Sequence, residues 1–311
     1  MNPFVWLLAV ALCADTAHAP GFHNFKVPLA AAESLAVETS GEGEPVVLIP
    51  GLFGSQFGFR KLIPLLQAAG YQAIVIEPLG VGSSSRPEGA DYSLSAQADR
   101  IARVLDSLRV SQAVIIAHSL GASEGFRLAY RRPDLVRGLV ALDGGPTEAA
   151  VTPTFRRTLK FAPWIKLLGG LGLIRRKTRS MLITSSGDSS WVTDEVVAGY
   201  TGGAALNLDA TLKAYIAMAN AHEPEKLAPH LGEVRCPVRL VVGGAHHDGD
   251  VSADEVRLLQ TTVHDFALDS VPGAGHFVFE EQPEAVVAAL GRLEANLPVR
   301  ISSAGVRPGT P

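Results

Sequence analysis

The chain has 311 residues, of which 47% are hydrophobic and 19% are charged. A chain of this length and composition can bury a large core, either in one domain with an insertion or in two domains. The formal net charge is −4, so no global basic field indicates a nucleic acid as partner. With only two cysteines, Cys13 and Cys236, the chain has neither a disulfide framework nor a cysteine-based zinc site.

The first 19 residues resemble a secretory signal peptide. Residues 4–14 form an apolar run too short to span a bilayer comfortably, and Ala17-His18-Ala19 follows the Ala-x-Ala cleavage pattern. Two features are unusual for such a peptide: no Lys or Arg precedes the apolar run, and Pro20 would follow the cleaved bond. We expect export to the periplasm or the medium, with a cytoplasmic protein as the alternative.

Strand-like and helix-like stretches then alternate along the chain. Strands are predicted at residues 35–38, 45–49, 73–76, 113–116, 137–142, 238–242 and 266–271, of which those at 45–49 and 73–76 are expected to be buried. Helices are predicted at residues 60–69, 95–108, 122–131, 255–260 and 283–293. Short strands that are separated by helices are joined by right-handed crossovers. The prediction is therefore an α/β fold with a mostly parallel central sheet and helices on both faces.

The alternation stops between residues 147 and 235. Prolines interrupt several amphipathic helical patterns in this stretch, and no convincing strand is found there. We predict an inserted helical cap at 147–235, with the sheet domain formed by residues 30–146 and 236–298. Residues 299–311 are predicted to be a flexible tail.

Within the predicted cap, residues 156–179 contain eight Lys or Arg and no acidic residue, interleaved with apolar side chains. Such a segment is typical of a cap helix whose apolar side covers a site while its basic side is solvated, which we favour. It is also typical of peripheral contact with an anionic membrane, which stays open as the alternative.

Ser119 lies in Ala117-His118-Ser119-Leu120-Gly121, between a predicted strand and a predicted helix. A serine on a sharp strand-to-helix turn exposes its hydroxyl, and small residues two before and two after it avoid collisions with the neighbouring strand and helix. The Leu120 N–H then lies at a helix N-terminus, where it can stabilise an oxyanion. The pattern indicates a nucleophile elbow; the alternative is an ordinary junction with a capping serine.

A serine hydroxyl needs a base, and the base must be held by an acid. The candidate base is His276, in a glycine-flanked loop after the last predicted strand; the alternative is a structural loop histidine. The glycine-rich turn at residues 50–55 is the candidate oxyanion hole. Its Leu52 N–H is the expected second donor beside Leu120, and the Phe53 N–H is the alternative.

These motifs occur in an order that resembles the α/β-hydrolase fold superfamily, in its serine hydrolase branch with a helical cap. Two further segments match the family: residues 77–84, and Glu281-Gln282-Pro283 after the histidine. The resemblance covers residues 35 to 295. It implies a Ser119 nucleophile, a His276 base, a small-molecule acyl substrate and no cofactor. Ala117 stands in place of the family's usual glycine, and Pro50 in place of its usual histidine.

The acid has three candidates. The family places an aspartate a few residues after the strand at 238–242, and counting from Gly244 reaches His247, whereas counting back from the next helix reaches Asp248. Asp248 is our first choice, Asp250 the second, and Asp143, which ends the strand before the insertion, the third. The His246–Asp250 cluster also invites a metal site, but with no second ligand group in register we expect no metal.

The resemblance implies hydrolysis of a carboxylic ester through an acyl-enzyme intermediate, because the branches that act on haloalkanes and epoxides use aspartate. Hydrolysis of a C–C bond, a lactone or a peptide-type bond by the same fold stays open. So does a non-catalytic module that binds a small ligand. Two further side chains are expected to be structural: Glu77 should bind backbone amides of its own turn, and His118 should pack beside the nucleophile.

Overall fold

An eight-stranded sheet forms the centre of the computed structural model, which describes residues 21–30, 32–151, 156–157 and 169–297. The strands are β1 (Phe22–Ala30), β2 (Glu33–Ser40), β3 (Glu44–Ile49), β4 (Tyr71–Ile76), β5 (Ala113–His118), β6 (Val136–Leu142), β7 (Val238–Gly243) and β8 (Phe266–Val271). Their order across the sheet is β1-β2-β4-β3-β5-β6-β7-β8. β1 and β2 pair antiparallel, as do β2 and β4, and every later pair is parallel.

The helices connect the parallel strands and cover the sheet. Those with described bounds are α1 (Leu62–Ala68), α2 (Leu94–Leu108), α3 (Leu120–Arg131), α4 (Gly170–Thr184), α5 (Asp194–Tyr200), α6 (Gly202–Leu206), α7 (Leu208–Asn220), α8 (Ala253–Thr262), α9 (Val278–Glu281) and α10 (Pro283–Glu294). Short 3₁₀ turns add Gln56–Arg60, Ser189–Trp191 and Ala228–Glu233.

The inner parallel strands are buried on both faces, which explains their near-continuous apolar sequences. The edge strand β8 differs, because Val271 is its single buried residue. On β3, for example, Val47 and Ile49 enter one core cluster while Val46 and Leu48 enter the other. The first cluster also contains side chains of α2, α3 and α8, and the second contains side chains of α1 and α10. The predicted α/β architecture is thus confirmed.

The sequence did not predict β1. This strand pairs only with β2 at the edge of the sheet, and Val27 is its single buried residue. An edge strand with so little inward-facing apolar surface has no strong alternating pattern, and Pro28 lies beside a register shift, where proline is tolerated. The sheet therefore begins before residue 30, the predicted start of the core.

The chain between β6 and β7 contains α4 to α7 and, within its described residues, no strand. This agrees with a helical insertion, although the boundaries at 147 and 235 stay a prediction. In the basic apolar segment, Arg175, Arg176 and Lys177 of α4 are exposed, while 152–155 and 158–168 lie outside the described residues. The predicted signal peptide and tail lie outside them as well. None of the described helices combines the length and apolarity that crossing a membrane requires.

Candidate active site

Ser119 occupies a one-residue turn between β5 and α3. Its φ of 53° and ψ of −120° are strained for a residue other than glycine. The Ser119 N–H donates to the Leu142 carbonyl at 2.9 Å, and the Ala122 N–H donates to the Ser119 carbonyl at 3.0 Å. The backbone is thus held on both sides of the serine, in the strand–turn–helix geometry of the predicted elbow.

Three glycines allow the neighbouring chain to approach this turn. A Cβ on Gly121 would lie 2.7 Å from the Pro50 carbonyl oxygen, and one on Gly144 would lie 2.3 Å from the Ser119 carbonyl oxygen. A Cβ on Gly51 would lie 3.0 Å from the Ser119 Cβ. The ends of β3 and β6 therefore close around the serine only because these positions lack side chains.

His276 lies in the loop after β8 and is held by a carboxylate. Its Nδ1 donates to Oδ2 of Asp143 over 2.6 Å. Its backbone N–H donates to the carbonyl of Ser185, at the end of α4, over 2.8 Å. With Nδ1 protonated toward the carboxylate, a neutral imidazole presents its Nε2 lone pair as a base.

Asp143 follows β6 directly and is 1% exposed. Its φ of 42° is in the left-handed region, and its N–H donates to the Val241 carbonyl of β7 at 2.8 Å. Because β6 lies between β5 and β7, a carboxylate at its end is close to the ends of both neighbours. The residue that the sequence ranks third among the candidate acids is thus the one bonded to His276.

Neither the first nor the second candidate is hydrogen-bonded to His276, although Asp248 lines the same cavity as Ser119 and His276. Asp248 is exposed, and Asp250 points its Oδ1 to Nε2 of His247 at 2.8 Å. Among the described residues, Asp143 alone supplies a carboxylate to His276. Gly249 explains the outcome: its φ is 102°, and a Cβ there would lie 3.2 Å from His276 Nδ1. Backbone of this loop, rather than an aspartate side chain, therefore faces the histidine.

His118 is 4% exposed and packs against His276, whereas the sequence predicted packing beside the nucleophile. Its Nε2 donates to the His276 carbonyl over 3.0 Å, and the two ring centroids are 4.6 Å apart. Burial, together with the neighbouring His276, holds the pKa of His118 well below its usual range. A neutral His118 that donates to the loop backbone supports the position of His276.

The candidate oxyanion donors flank the serine. Leu120 is the first residue of α3, where backbone N–H groups have no partner within the helix. Leu52 lies in a turn that is closed by a 2.9 Å hydrogen bond from the Gly54 N–H to the Gly51 carbonyl. Leu52, Phe53, Ser119 and Leu120 all line one cavity, which agrees with the predicted roles of these N–H groups.

The cavity has a volume of about 340 Å³ and also contains His276. Its walls are mainly apolar, with contributions from Phe59, Met181, Phe277 and Phe279. Within the described residues, the Ser119 hydroxyl makes no hydrogen bond, although it shares the cavity with the histidine. Such bonds are often long in enzymes without substrate and tighten when substrate binds.

Two glutamates brace the loops around the site. Glu77 accepts hydrogen bonds from the N–H groups of Gln56 at 2.8 Å and Ser83 at 2.5 Å, which is the structural role expected from the sequence. Glu281 accepts from the Gly275 N–H at 3.0 Å on the histidine loop and from the N–H groups of Gly187 and Asp188 at 2.9 and 2.8 Å. It thereby ties the histidine loop to the insertion.

Sequence reasoning missed His247 as part of the site. Ligand atoms of Asp143, His247 and His276 lie within 4.8 Å of one another, a spacing that would suit a metal ion. Direct hydrogen bonds from each histidine to Asp143 account for this spacing. The sequence did carry one signal for His247: counting the family's usual spacing from Gly244, in the loop after β7, reaches this residue.

Comparisons with known proteins agree with the fold. Residues 44–169 match the model of the alpha/beta hydrolase fold family. The chain is 26% identical over 243 residues to the uncharacterized hydrolase YugF of Bacillus subtilis, which covers 78% of this chain and 87% of that protein. It is 26% identical over 259 residues to the sn-1-specific diacylglycerol lipase ABHD11 of Mus musculus, with 79% of each chain covered.

Among solved structures, the epoxide hydrolase CorEH superposes with a TM-score of 0.74 at 22% identity, over 88% of this chain and 99% of that one. This likeness shows the fold. Together with the match of residues 44–169 to the family model, it shows that the chain has the α/β-hydrolase fold. The chain is a hydrolase of this fold, as the family and the sequence relatives support.

Proposed function

We propose that this hydrolase cleaves carboxylic esters through an acyl-enzyme intermediate on Ser119. The observation that carries the proposal is the hydrogen bond of 2.6 Å from His276 to the buried Asp143, in a loop that shares one apolar cavity with the elbow serine. A histidine oriented by a carboxylate, in the same cavity as a half-buried serine, is the arrangement that acyl transfer requires.

In the first half of the reaction, His276 takes the proton of the Ser119 hydroxyl through Nε2 while the serine oxygen attacks the ester carbonyl. Asp143 keeps the proton on Nδ1 and stabilises the imidazolium that forms. The Leu52 and Leu120 N–H groups donate to the developing oxyanion. His276 then protonates the leaving alcohol, and a water molecule deacylates Ser119 by the same steps in reverse order.

The identity of the nucleophile argues against epoxide or haloalkane hydrolysis. Attack of a serine oxygen on an alkyl carbon would form an ether, which water does not cleave under these conditions. Attack on a carbonyl carbon forms an ester, which a second nucleophilic addition cleaves. Ser119 therefore favours acyl substrates, even though the fold resembles that of an epoxide hydrolase.

The cavity favours a small, mainly apolar ester. Its volume of about 340 Å³ lies at the lower end of the range for small-molecule sites. The aromatic walls at Phe59, Phe277 and Phe279 suit an acyl chain or an aryl alcohol. We expect p-nitrophenyl butanoate to be a better substrate than the corresponding long-chain ester.

The test is a panel of p-nitrophenyl esters from acetate to palmitate, assayed with wild-type protein, Ser119→Ala and Ser111→Ala. Ser111 is an exposed serine ahead of β5 and serves as the matched control. The proposal expects turnover by wild type and Ser111→Ala, and a loss on the order of 10⁴-fold or more for Ser119→Ala. Equal rates for Ser119→Ala and wild type would contradict it. An inert wild-type protein would instead favour the non-catalytic binding module.

A further inference from the structure

His247 lies against the carboxylate that orients the base. Its side chain is 1% exposed, and its Nε2 lies 2.8 Å from Oδ2 of Asp143 and 2.8 Å from Oδ1 of Asp250. Its Nδ1 lies 2.7 Å from the carbonyl oxygen of Ala245. Among the described residues, each polar group within hydrogen-bond distance of this ring is therefore an oxygen that accepts hydrogen bonds.

Such surroundings specify the protonation state of the ring. A neutral imidazole carries one N–H and one lone pair, so one of its nitrogens would direct a lone pair at an oxygen less than 3 Å away. An imidazolium donates from both nitrogens and satisfies both sides. Burial opposes the charge, but the Ala245 carbonyl and the Asp143 carboxylate outweigh it, and the pKa of His247 is raised above its usual value.

Charged and titratable groups face His247 from three elements. Asp143 approaches from the end of β6, and Asp250 lies on the loop of His247 itself. His276 approaches from the loop after β8, with its ring centroid 6.1 Å from that of His247. Asp248, the neighbouring residue, is exposed. Two carboxylates are therefore in direct contact with the His247 ring, and His276 is the second titratable ring near it.

The two oxygens of Asp143 are used unequally. Oδ2 accepts hydrogen bonds from both histidines, whereas Oδ1 is buried and has no partner among the described residues. The orientation of the carboxylate therefore depends on two donors at one oxygen. Removing the His247 donor would leave the carboxylate held by His276 alone, the ring that it is meant to orient.

We propose that His247 is a cationic positioning residue, which holds the Asp143 carboxylate toward His276. His247 thus occupies the position in the loop after β7 that usually supplies the acid, and it contributes a donor there instead of an acceptor. The inference rests on the proposed function of Ser119 and His276.

The charges determine the direction in which the pH profile should shift when the charge of His247 is removed. A cation close to His276 disfavours a second positive charge on the His276 ring. When His247 is replaced by an uncharged donor, the acid-side midpoint of kcat/KM should therefore move to higher pH by roughly one unit.

The experiment compares His247→Gln, which keeps an N–H donor without the charge, with His247→Leu, which loses both. His246→Gln is the matched control, because His246 is the exposed neighbouring histidine. kcat/KM for p-nitrophenyl butanoate is measured from about pH 5 to about pH 9. We expect the upward shift in His247→Gln, a loss of at least tenfold in kcat for His247→Leu, and a wild-type profile for the control.

A measurement without substrate separates this inference from the proposed function. In the ¹⁵N NMR spectrum of the free wild-type protein, His247 should show imidazolium shifts at about pH 6.5, where half of an unperturbed histidine is neutral. A neutral His247 ring would overturn the inference even if the esterase is active. So would coincident acid limbs in wild type and His247→Gln, undiminished kcat in His247→Leu, or activity that a chelator removes and zinc restores.

Discussion

Asp143 connects the reacting histidine to the core of the sheet. It is buried at the end of β6, its backbone is bonded to β7, and its side chain is bonded to His276. A rigid strand end positions a carboxylate more accurately than an exposed loop does. The carboxylate that is bonded to His276 is thus held at the end of a buried strand.

Replacing Asp143 by Asn should abolish most of the activity. The amide keeps the size of the side chain but stabilises the wrong tautomer of His276, so kcat should fall on the order of 10⁴-fold. Steady-state kinetics with an aryl ester measures this. Asp248→Asn should reduce kcat by less than about tenfold, because Asp248 is exposed and Asp143 supplies the carboxylate to the base. The reverse order of effects would contradict the assignment.

Ser119 and His276 could be predicted because each lies in a local pattern whose backbone geometry depends on adjacent residues. The acid could not be predicted in this way. Asp143 and Asp248 both follow strands that end at the same edge of the sheet, and the sequence alone does not show which side chain reaches the histidine. The choice depends on how Gly249 turns the loop, a property of the tertiary structure.

At the scale of elements, the site depends on the close contact of α3 with the end of β3. The first turn of α3 carries the Leu120 N–H, and the turn after β3 carries the Leu52 N–H. Gly121 lies between them, where a Cβ would meet the Pro50 and Ile49 carbonyl oxygens at 2.7 and 2.8 Å. The separation of the two donors is therefore sensitive to a single methyl group.

Gly121→Ala should push α3 away from β3. Because backbone atoms rather than flexible side chains oppose the new Cβ, we expect a loss of about 1–3 kcal/mol in the free energy of unfolding. A displacement on the order of 1 Å would reduce kcat up to about 100-fold. Denaturant unfolding and steady-state kinetics measure the two effects. Gly172→Ala in α4 is the control, because a Cβ there would meet no described atom within 4 Å; equal behaviour of both variants would contradict this role of Gly121.

Glu124, also on α3, makes stability depend on pH. Burial raises the pKa of its carboxyl to about 8 against the partial opposition of Arg127, and its Oε2 has no hydrogen-bond partner among the described residues. The folded protein therefore retains a proton that the unfolded chain releases above about pH 4.5. The stability that the neutral Glu124 carboxyl contributes is complete below the pKa of this group in the unfolded chain. It is lost as the pH rises through the pKa of the group in the folded protein.

Glu124→Gln should remove this dependence. Between about pH 5 and about pH 8, the free energy of unfolding of the wild type should decline relative to the variant, by up to about 1.4 kcal/mol per pH unit. Urea unfolding at several pH values measures the difference in the free energy of unfolding between the two proteins. The contributions of the other titrating groups cancel in this difference. Parallel pH profiles would show that Glu124 is ionised in the folded state.

The elements also show why some of the fold could be predicted from sequence and some could not. The inner parallel strands are buried on both faces, so their apolar runs stand out, as in residues 113–116 of β5. β1 is exposed along most of its length and depends on pairing with β2, so its sequence carries little signal. Burial made the inner strands recognisable, whereas β8 was predicted although Val271 is its single buried residue.

At the scale of the whole molecule, the insertion and the sheet domain meet at the histidine loop. The Ser185 carbonyl accepts from the His276 N–H, and Glu281 binds N–H groups on both sides of the junction. A Cβ on Gly187 would lie 2.1 Å from the Gly273 carbonyl oxygen, so the two segments are in direct backbone contact. The position of the base therefore depends on the insertion.

Glu281→Gln should loosen this junction. An amide has one acceptor oxygen, and its NH₂ group would face backbone N–H groups, so at least one of the three hydrogen bonds is lost. We expect kcat/KM to fall on the order of tenfold and amide hydrogen exchange to accelerate in residues 185–188 and 273–276. Glu284→Gln, at an exposed position of α10, is the control. Unchanged exchange in both segments would contradict the role of Glu281.

The most direct measurement is labelling of the folded wild-type protein with a fluorophosphonate, followed by mass spectrometry of its peptides. An activated Ser119 should be phosphonylated stoichiometrically, and labelling should be strongly slowed in Asp143→Asn. Modification at a different serine, or equal labelling rates in wild type and Asp143→Asn, would contradict a nucleophile that is activated through His276 and Asp143.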